Sequence, residues 1–330
     1  MPSHPSRLAL DYSIVDVFTT TALAGNPLAV VMNTARLTTE QMQSIAREFN
    51  LSETTFVERR SPEVEATEGI RVRIFTTAEE LPFAGHPTLG TAAVLRFTAP
   101  DTMRDNLITL AENVGPIPVR FPGPASHSAE SNLSAESSLS AEMTQRDAEF
   151  GAEIDPAQVA SLCGLALVDL DPSAAPQVVS TGNGFAVVLL RSVEALGRLR
   201  VQQDQATPFL RSHGARWFYV LAPAPAEPPG SPRTGLGSWG GEGGMPCFRA
   251  RMQFEGGEDP ATGSAAGCAV AYLVRRNLAP SGHRFLLRQG VEIGRPSEIF
   301  VSAQAISAKV SQIRVAGSTV LVANGQLFLP

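Results

Sequence analysis

Two glycine-containing segments, each followed by an alanine-rich apolar stretch, constrain the fold of this chain most strongly. The first is Phe83-Ala-Gly-His-Pro-Thr-Leu-Gly-Thr91, and the second is Glu258-Asp-Pro-Ala-Thr-Gly-Ser-Ala-Ala-Gly267. Pro87 suits the first turn of a helix, where its missing N–H costs no hydrogen bond. The residues around Asp259 and Gly263 are typical of a turn and a helix N-cap. We therefore predict that each segment is a loop that begins a buried helix.

The two predicted helix starts have a chemistry in common. The first turn of a helix presents N–H groups without a partner inside the helix, and the helix dipole favours negative charge there. Each start also carries an ionisable residue, His86 in the first and Asp259 in the second. This combination predicts a binding site for a small molecule that bears a carboxylate. The alternative is structural: the glycines permit close packing, His86 is a buried core residue and Asp259 is an N-cap.

Three neighbouring residues are candidates for binding the anion. Gly85 and Gly263 offer backbone donors, and Ser264 offers a hydroxyl group. Simple turn and cap chemistry accounts equally well for these three residues.

Glu53 is the candidate for proton transfer. It lies between Leu51 and Phe56, where a helix-to-strand turn enters a predicted sheet. Partial desolvation in that position is expected to raise the pKa of its carboxyl towards the range in which general acids and bases work. A glutamate that only caps the turn is the equal alternative.

Composition excludes several classes of function. The formal net charge of −6 offers no basic field for nucleic acid, and no segment has the apolar length of a membrane helix or a signal peptide. We therefore expect a cytoplasmic protein without a nucleic-acid or membrane partner. Cys163, Cys247 and Cys268 have no C-x-x-C spacing, and the histidines include no i, i+4 pair, so we expect no metal site.

The chain is long enough, at 330 residues, for two domains. Residues 123–153 are rich in Ser, Ala and Glu and contain a Ser-Ala-Glu repeat, which predicts a solvated linker. We expect domains at 1–122 and 154–330, and a Pro- and Gly-rich loop at 222–246 within the second. Each domain is predicted to place strands around one apolar helix. If pseudo-symmetry relates them, the two helix starts face each other across a cleft.

Six segments of the chain together resemble a known family. They are Val15–Phe18, Gly25–Val31, Ile45–Val57, Glu80–Gly90, Glu258–Gly267 and Gln289–Ser297. These segments closely resemble the PhzF-like isomerase family of phenazine biosynthesis, and the match covers most of the chain outside the two inserts. The resemblance implies an α+β fold of the diaminopimelate epimerase type, with two pseudo-symmetric domains, each a β-barrel around a central α-helix. It also implies an active site in the cleft and a homodimer.

The resemblance also implies roles for particular residues. By position, Glu53 resembles the family's acid/base glutamate, which moves a proton between two carbons of a carboxylate-bearing substrate without a cofactor. We therefore expect an isomerase that acts by general acid–base catalysis and uses no cofactor. The residues that match the lining of the same cleft are His86, Asp259 and Ser264, with Gly85 and Gly263 beside them.

Two other functions remain alternatives. The first is a two-cysteine amino-acid racemase or epimerase on the same fold, in which opposed thiols remove and return the proton. That mechanism needs one thiol in each domain, whereas all three cysteines follow the predicted linker. The second alternative is a small-molecule binding protein that keeps the fold without turnover.

Overall fold

A computed structural model describes residues 8–122, 138–227, 245–307 and 309–329 as a mixed α/β fold. No helix within these ranges has the length and apolar character needed to cross a membrane. The helices are α1 (Thr39–Phe49), α2 (Pro62–Glu68), α3 (Gly85–Thr98), α4 (Pro156–Leu162), α5 (Val193–Gly197), α6 (Gln203–Ser212) and α7 (Gly263–Arg275).

The strands form one long sheet and one short hairpin. In the first half of the chain they are β1 (Leu8–Val17), β2 (Asn26–Val31), β3 (Glu53–Glu58), β4 (Ile70–Phe75), β5 (Glu80–Leu81), β6 (Leu107–Glu112), β7 (Gly115–Arg120), β8 (Leu139–Thr144) and β9 (Glu149–Glu153). In the second half they are β10 (Gln177–Ser180), β11 (Gly184–Leu189), β12 (Trp217–Glu227), β13 (Met245–Arg251), β14 (Gln253–Phe254), β15 (Gly257–Glu258), β16 (Phe285–Gln289), β17 (Ser297–Ile306) and β18 (Lys309–Leu329).

Eight strands close into a barrel around α3. The hydrogen-bonded order is β1-β2-β3-β4-β6-β7-β8-β18, and β18 pairs back to β1 from Leu8 opposite Leu329 to Val17 opposite Thr319. Every residue of α3 from Gly85 to Leu95 is buried. A helix that is apolar on all sides needs cover on all sides, and the closed barrel provides it.

The remaining strands of the long sheet pack around α7. From β18 the sheet continues through β17, β16, β13, β12, β11 and β10 to β9. The helix is buried from Gly263 to Val274 and lies against β17, β18, β10 and β11. Strand β18 is therefore shared. It pairs with β8 along one edge, and the other edge pairs with β17 at residues 309–316 and with β1 at residues 319–329.

Several local predictions are confirmed. Thr38 followed three residues later by Gln41 is a pattern that predicts a capping box, and the two residues form one at the start of α1, which Asn50 ends in the left-handed conformation. The two apolar helices begin at Gly85 and Gly263 as expected. Helix α2 was not predicted, because none of its residues is buried and its sequence therefore lacks an apolar period.

The predicted linker is wrong for residues 139–153, which form β8 and β9. Strand β8 pairs with β7 and β18, and the side chains of Ala141 and Met143 are buried in the barrel. The first barrel thus takes two strands from beyond the predicted domain 1–122. The small and polar residues of β8 give no strand pattern in the sequence, because pairing with β7 and β18 is what stabilises this strand. Residues 123–137 lie outside the described residues.

The loop predicted at 222–246 is shorter than predicted, because strands extend into it from both ends. Strand β12 continues to Glu227, and β13 begins at Met245. The two strands pair as antiparallel neighbours, with Leu221 opposite Ala250. Residues 228–244 lie outside the described part of the chain.

A buried carboxyl group lies against the first turn of α3. Glu112 ends β6 and is 5% exposed. The hydroxyl of Thr88 lies 2.6 Å from Oε1 of Glu112 and 2.7 Å from the carbonyl oxygen of Ala84. Its single hydrogen serves one of these acceptors, which favours a protonated Glu112 that supplies the other hydrogen. Burial raises the pKa of Glu112 to about 8.

We expect Glu112 to make the protein less stable at alkaline pH. Its pKa in the folded state exceeds the unfolded value of 4.5, so stability is lost as the pH rises through about 8. Between about pH 6 and 9 the free energy of unfolding should fall by about 2 kcal/mol, and Glu112→Gln should remove most of that fall. Urea denaturation at both pH values measures this fall in the free energy of unfolding. Glu149→Gln, at an exposed position, is the control. An unaltered pH dependence in Glu112→Gln contradicts the prediction.

Candidate active site

The two buried helices begin in direct contact. A Cβ atom on Gly85 would lie 2.5 Å from the backbone nitrogen of Ser264 and 2.6 Å from the carbonyl carbon of Gly263. A Cβ atom on Gly263 would lie 2.9 Å from Cζ of Phe18. The neighbours of Gly85 are main-chain atoms that cannot rotate away, so only glycine permits this approach. Close packing thus accounts for the glycines, and it also brings the candidate residues of both helices together.

Neither helix start is capped by a side chain. The N-cap residues are Ala84 and Thr262, and the side chain of neither accepts a hydrogen bond from the first turn. The hydroxyl of Thr262 instead donates to Oδ2 of Asp259 at 2.6 Å. The sequence interpretation of Asp259 as an N-cap is therefore wrong. The N–H groups of both first turns therefore form no hydrogen bond with the side chain of the N-cap residue, which leaves them able to bind an anion.

Glu53 and His86 face each other beside these helix starts. Glu53 is the first residue of β3, and its side chain is 15% exposed, whereas that of His86 is 4% exposed. The distance between Nε2 of His86 and Oε2 of Glu53 is 3.4 Å. Both atoms are buried and lack a hydrogen-bond partner among the residues described. Two such atoms aimed at one another are suited to receive a polar atom of a substrate.

Asp259 joins this pair through a residue that the sequence reasoning missed. Asn26, which begins β2, donates from Nδ2 to Oδ1 of Asp259 at 2.7 Å. The same nitrogen lies 3.1 Å from Nδ1 of His86. From the sequence alone, Gly25-Asn26-Pro27 indicates only a break between two strands. The signal that was available is the place of Asn26 in one of the segments that resemble the PhzF-like family.

Burial sets the protonation of these groups. Desolvation raises the pKa of Glu53 well above its ordinary value, and the charge of Asp259 raises it further. Desolvation also raises the pKa of Asp259, although hydrogen bonds from Thr262 and Asn26 oppose this effect. Burial lowers the pKa of His86 to about 3, so its ring is neutral near pH 7. Asp259 accepts hydrogen bonds from Thr262, Asn26 and the backbone of Ala261, whereas Oε2 of Glu53 has no donor among the described residues, so Asp259 holds a negative charge more readily than Glu53 does.

A cleft of about 520 Å³ opens above these residues and includes Glu53, Asp259 and Ser264 in its lining. Arg216 also lines the cleft, where it forms an ion pair with Glu79 and lies 4.8 Å over the ring of Trp217. The lining thus combines acidic groups with aromatic ones. Its aromatic residues are Phe185, Trp217 and Phe254.

The structure brings together all the site residues predicted from the sequence. Three of them line the cleft, two form the contact between the helices, and His86 lies next to Glu53. Their chemical roles remain predictions. The six residues are Glu53, His86, Asp259, Gly85, Gly263 and Ser264.

Known proteins are similar to this chain over nearly their whole length. A family model described as phenazine biosynthesis-like protein matches residues 15–226 and 248–325. The trans-2,3-dihydro-3-hydroxyanthranilate isomerase of Pseudomonas aeruginosa is 33% identical over 322 residues, which are 96% of this chain and 99% of that protein. An uncharacterized isomerase of Mesorhizobium japonicum is 33% identical over 324 residues, 97% of this chain and 99% of that protein. The solved structure of a predicted epimerase from Pseudomonas aeruginosa has a TM-score of 0.74 at 33% identity and covers 96% of this chain and 99% of its own.

We expect Gly85→Ala to destabilise the protein by about 2 kcal/mol or more, because the added methyl group meets the main chain of α7. Urea denaturation measures the change. Gly197→Ala is the matched control, since a Cβ atom there meets no atom within 4 Å. It should change the free energy of unfolding by less than about 1 kcal/mol. Equal costs for the two substitutions contradict the tight contact.

Proposed function

Because this chain belongs to the phenazine biosynthesis-like protein family, we propose that it is an isomerase that moves a proton between two carbons of a small carboxylate-bearing substrate. The observation that carries the proposal is the apposition of Glu53 and His86. Their facing atoms are buried, lack hydrogen-bond partners among the residues that the structure describes and lie 3.4 Å apart, and Glu53 lines the cleft. The two relatives described above, from Pseudomonas aeruginosa and Mesorhizobium japonicum, are named isomerases, which supports the same class of reaction.

Glu53 exchanges the proton in the proposed reaction. The ionised carboxylate takes a proton from one substrate carbon, and the electron pair of that C–H bond moves into the conjugated system of the substrate. The carboxylic acid then returns the proton to a second carbon, so that Glu53 is ionised again and no proton is gained or lost. A pKa raised by burial suits both steps, since the group is a stronger base than an exposed glutamate and still a usable acid. This chemistry calls for no cofactor, and we propose none.

The substrate carboxylate binds, in this proposal, at the two uncapped helix starts. The first turns of α3 and α7 offer N–H groups, and Ser264 adds a hydroxyl group. The charge of Asp259 is balanced locally by donors from Thr262 and Asn26, which reduces its repulsion of a second carboxylate.

We further propose that the halves centred on α3 and α7 are related by pseudo-symmetry. Two similar ion pairs support this relation. Arg73 binds Glu80 before α3, and Arg251 binds Glu258 before α7. In each pair the residues are seven positions apart in the sequence, and the distance between nitrogen and oxygen is 2.6 Å. We also propose a homodimer, which the family resemblance supports.

The two-cysteine alternative is not supported by the geometry. Burial raises the pKa of Cys163 and of Cys268 to about 12, so neither thiol ionises readily. Cys247 is also buried, and among the described residues no cysteine lines the cleft.

Solvent-deuterium incorporation tests the proposed reaction. The protein is incubated in deuterium oxide with trans-2,3-dihydro-3-hydroxyanthranilate and with a panel of amino acids, and the products are analysed by mass spectrometry. Label at a substrate carbon, seen with the wild type and absent with Glu53→Gln, is the expected result. Tight binding of a compound without label, equal in both proteins, favours the binding-protein alternative and contradicts the isomerase.

We expect Glu53→Gln to lower turnover by roughly two to four orders of magnitude, because the amide keeps the shape and removes the base. Steady-state kinetics measure the loss, and the melting temperature shows that the fold is retained. Glu58→Gln is the matched control, since Glu58 lies at the other end of the same strand and outside the cleft. It should leave turnover within about threefold of the wild type. Turnover that survives in Glu53→Gln removes Glu53 from the mechanism.

A further inference from the structure

Asn26 contacts both sides of the candidate active site with one side-chain amide. The residue is fully buried. Its Nδ2 atom lies 2.9 Å from the carbonyl oxygen of Ala261, 2.7 Å from Oδ1 of Asp259 and 3.1 Å from Nδ1 of His86. His86 belongs to the first turn of α3, whereas Asp259 and Ala261 precede α7. The amide therefore links the ionisable groups of the two helix starts.

The carbonyl group of Ala261 fixes the orientation of this amide. A carbonyl oxygen only accepts hydrogen bonds, so the atom 2.9 Å from it has to be the NH₂ group. Turning the amide by half a rotation would place its oxygen against that carbonyl and against the carboxylate of Asp259. Both contacts would then be repulsive and buried. Asn26 consequently presents hydrogens, and not a lone pair, to His86.

The orientation of the amide decides which nitrogen of His86 carries the hydrogen. The two amide hydrogens of Asn26 are shared among three neighbouring atoms, the carbonyl oxygen of Ala261, Oδ1 of Asp259 and Nδ1 of His86. A hydrogen on Nδ1 would point at this donor, so Nδ1 is bare and accepts. The ring is neutral, because burial lowers the pKa of His86 to about 3. Its single hydrogen is therefore on Nε2, the atom that faces Glu53.

We propose that Asn26 is a positioning residue that holds His86 in the Nε2–H tautomer, so that His86 donates a hydrogen bond to a substrate oxygen beside Glu53. As Glu53 removes the proton from carbon, negative charge develops on that oxygen, and the fixed N–H stabilises it. His86 keeps its hydrogen throughout, and only Glu53 exchanges a proton with the substrate. The role of the tautomer in turnover rests on the proposed function, whereas the tautomer itself does not.

Nitrogen NMR of the protein labelled with ¹⁵N-histidine tests the tautomer without a substrate. The signals of His86 are assigned by their loss in His86→Gln. We expect a bare Nδ1 and a protonated Nε2 in the wild type near pH 7. Protonated Nδ1, or a mixture of tautomers, in the wild type overturns the proposal.

Asn26→Asp reverses the hydrogen bonding at nearly constant shape and should move the hydrogen of His86 to Nδ1. Asn26→Ala removes the donor with less electrostatic change and should give a mixture of tautomers, which keeps the test decisive if the aspartate variant does not fold. Asn183→Asp is the matched control. Asn183 is also a buried asparagine of the cleft, but it donates to the carbonyl of Phe83 at 2.8 Å and not to His86. The tautomer of His86 should not change in Asn183→Asp. If it also stays unchanged in both Asn26→Asp and Asn26→Ala, the proposal is overturned.

Kinetics separate this inference from the proposed function. With a substrate identified by deuterium exchange, Asn26→Ala should lower kcat by about 10- to 100-fold and change KM by less than about threefold. An unchanged kcat in a variant whose tautomer has shifted overturns the donor role of His86. If no compound is turned over while NMR shows the expected tautomer, the proposed function fails and the assignment of Asn26 stands.

Discussion

The first turn of α3 meets the first turn of α7 through main-chain atoms, and this contact positions the rest of the site. Each helix is held by the strands around it, so the two starts touch only because Gly85 and Gly263 leave room. Once they touch, His86 and Asp259 come within reach of a single amide. The acid–base groups are thus placed by close-packed backbone, which deforms less readily than a set of long side chains. A methyl group at Gly85 would separate residues whose distances decide their chemistry.

The carboxyl groups near the two helix starts have different partners. Glu80 and Glu258 are each bound by an arginine. Among the described residues, no arginine pairs with Glu53 or Asp259, and desolvation raises the pKa of both carboxyls. The arginine pairs link β4 to β5 and β13 to β15, whereas Glu53 is left available for the proposed proton exchange.

Features that depend on residues close together in the sequence were predictable from the sequence. Features that depend on residues far apart in the sequence were not. The capping box at Thr38 and the start at Gly85 are encoded within a few positions. Asn26 acquires its meaning from His86, 60 positions away, and from Asp259, 233 positions away. Strand β8 has the composition of a solvated segment and becomes a strand because β7 and β18 lie on either side of it. Burial of this kind is a property of the assembled barrel and has no local signal.

The position of β18 in the sheet limits how early during synthesis the fold can be completed. Leu329 pairs with Leu8, and the same strand also borders β17. The edges of β1 and β17 that pair with β18 therefore stay open until residues 309–329 have left the ribosome. Contacts between such distant positions form slowly and leave unpaired strand edges exposed in the meantime. The barrel around α3 and the strands around α7 both depend on β18, so loss of this strand would leave both helices without complete cover.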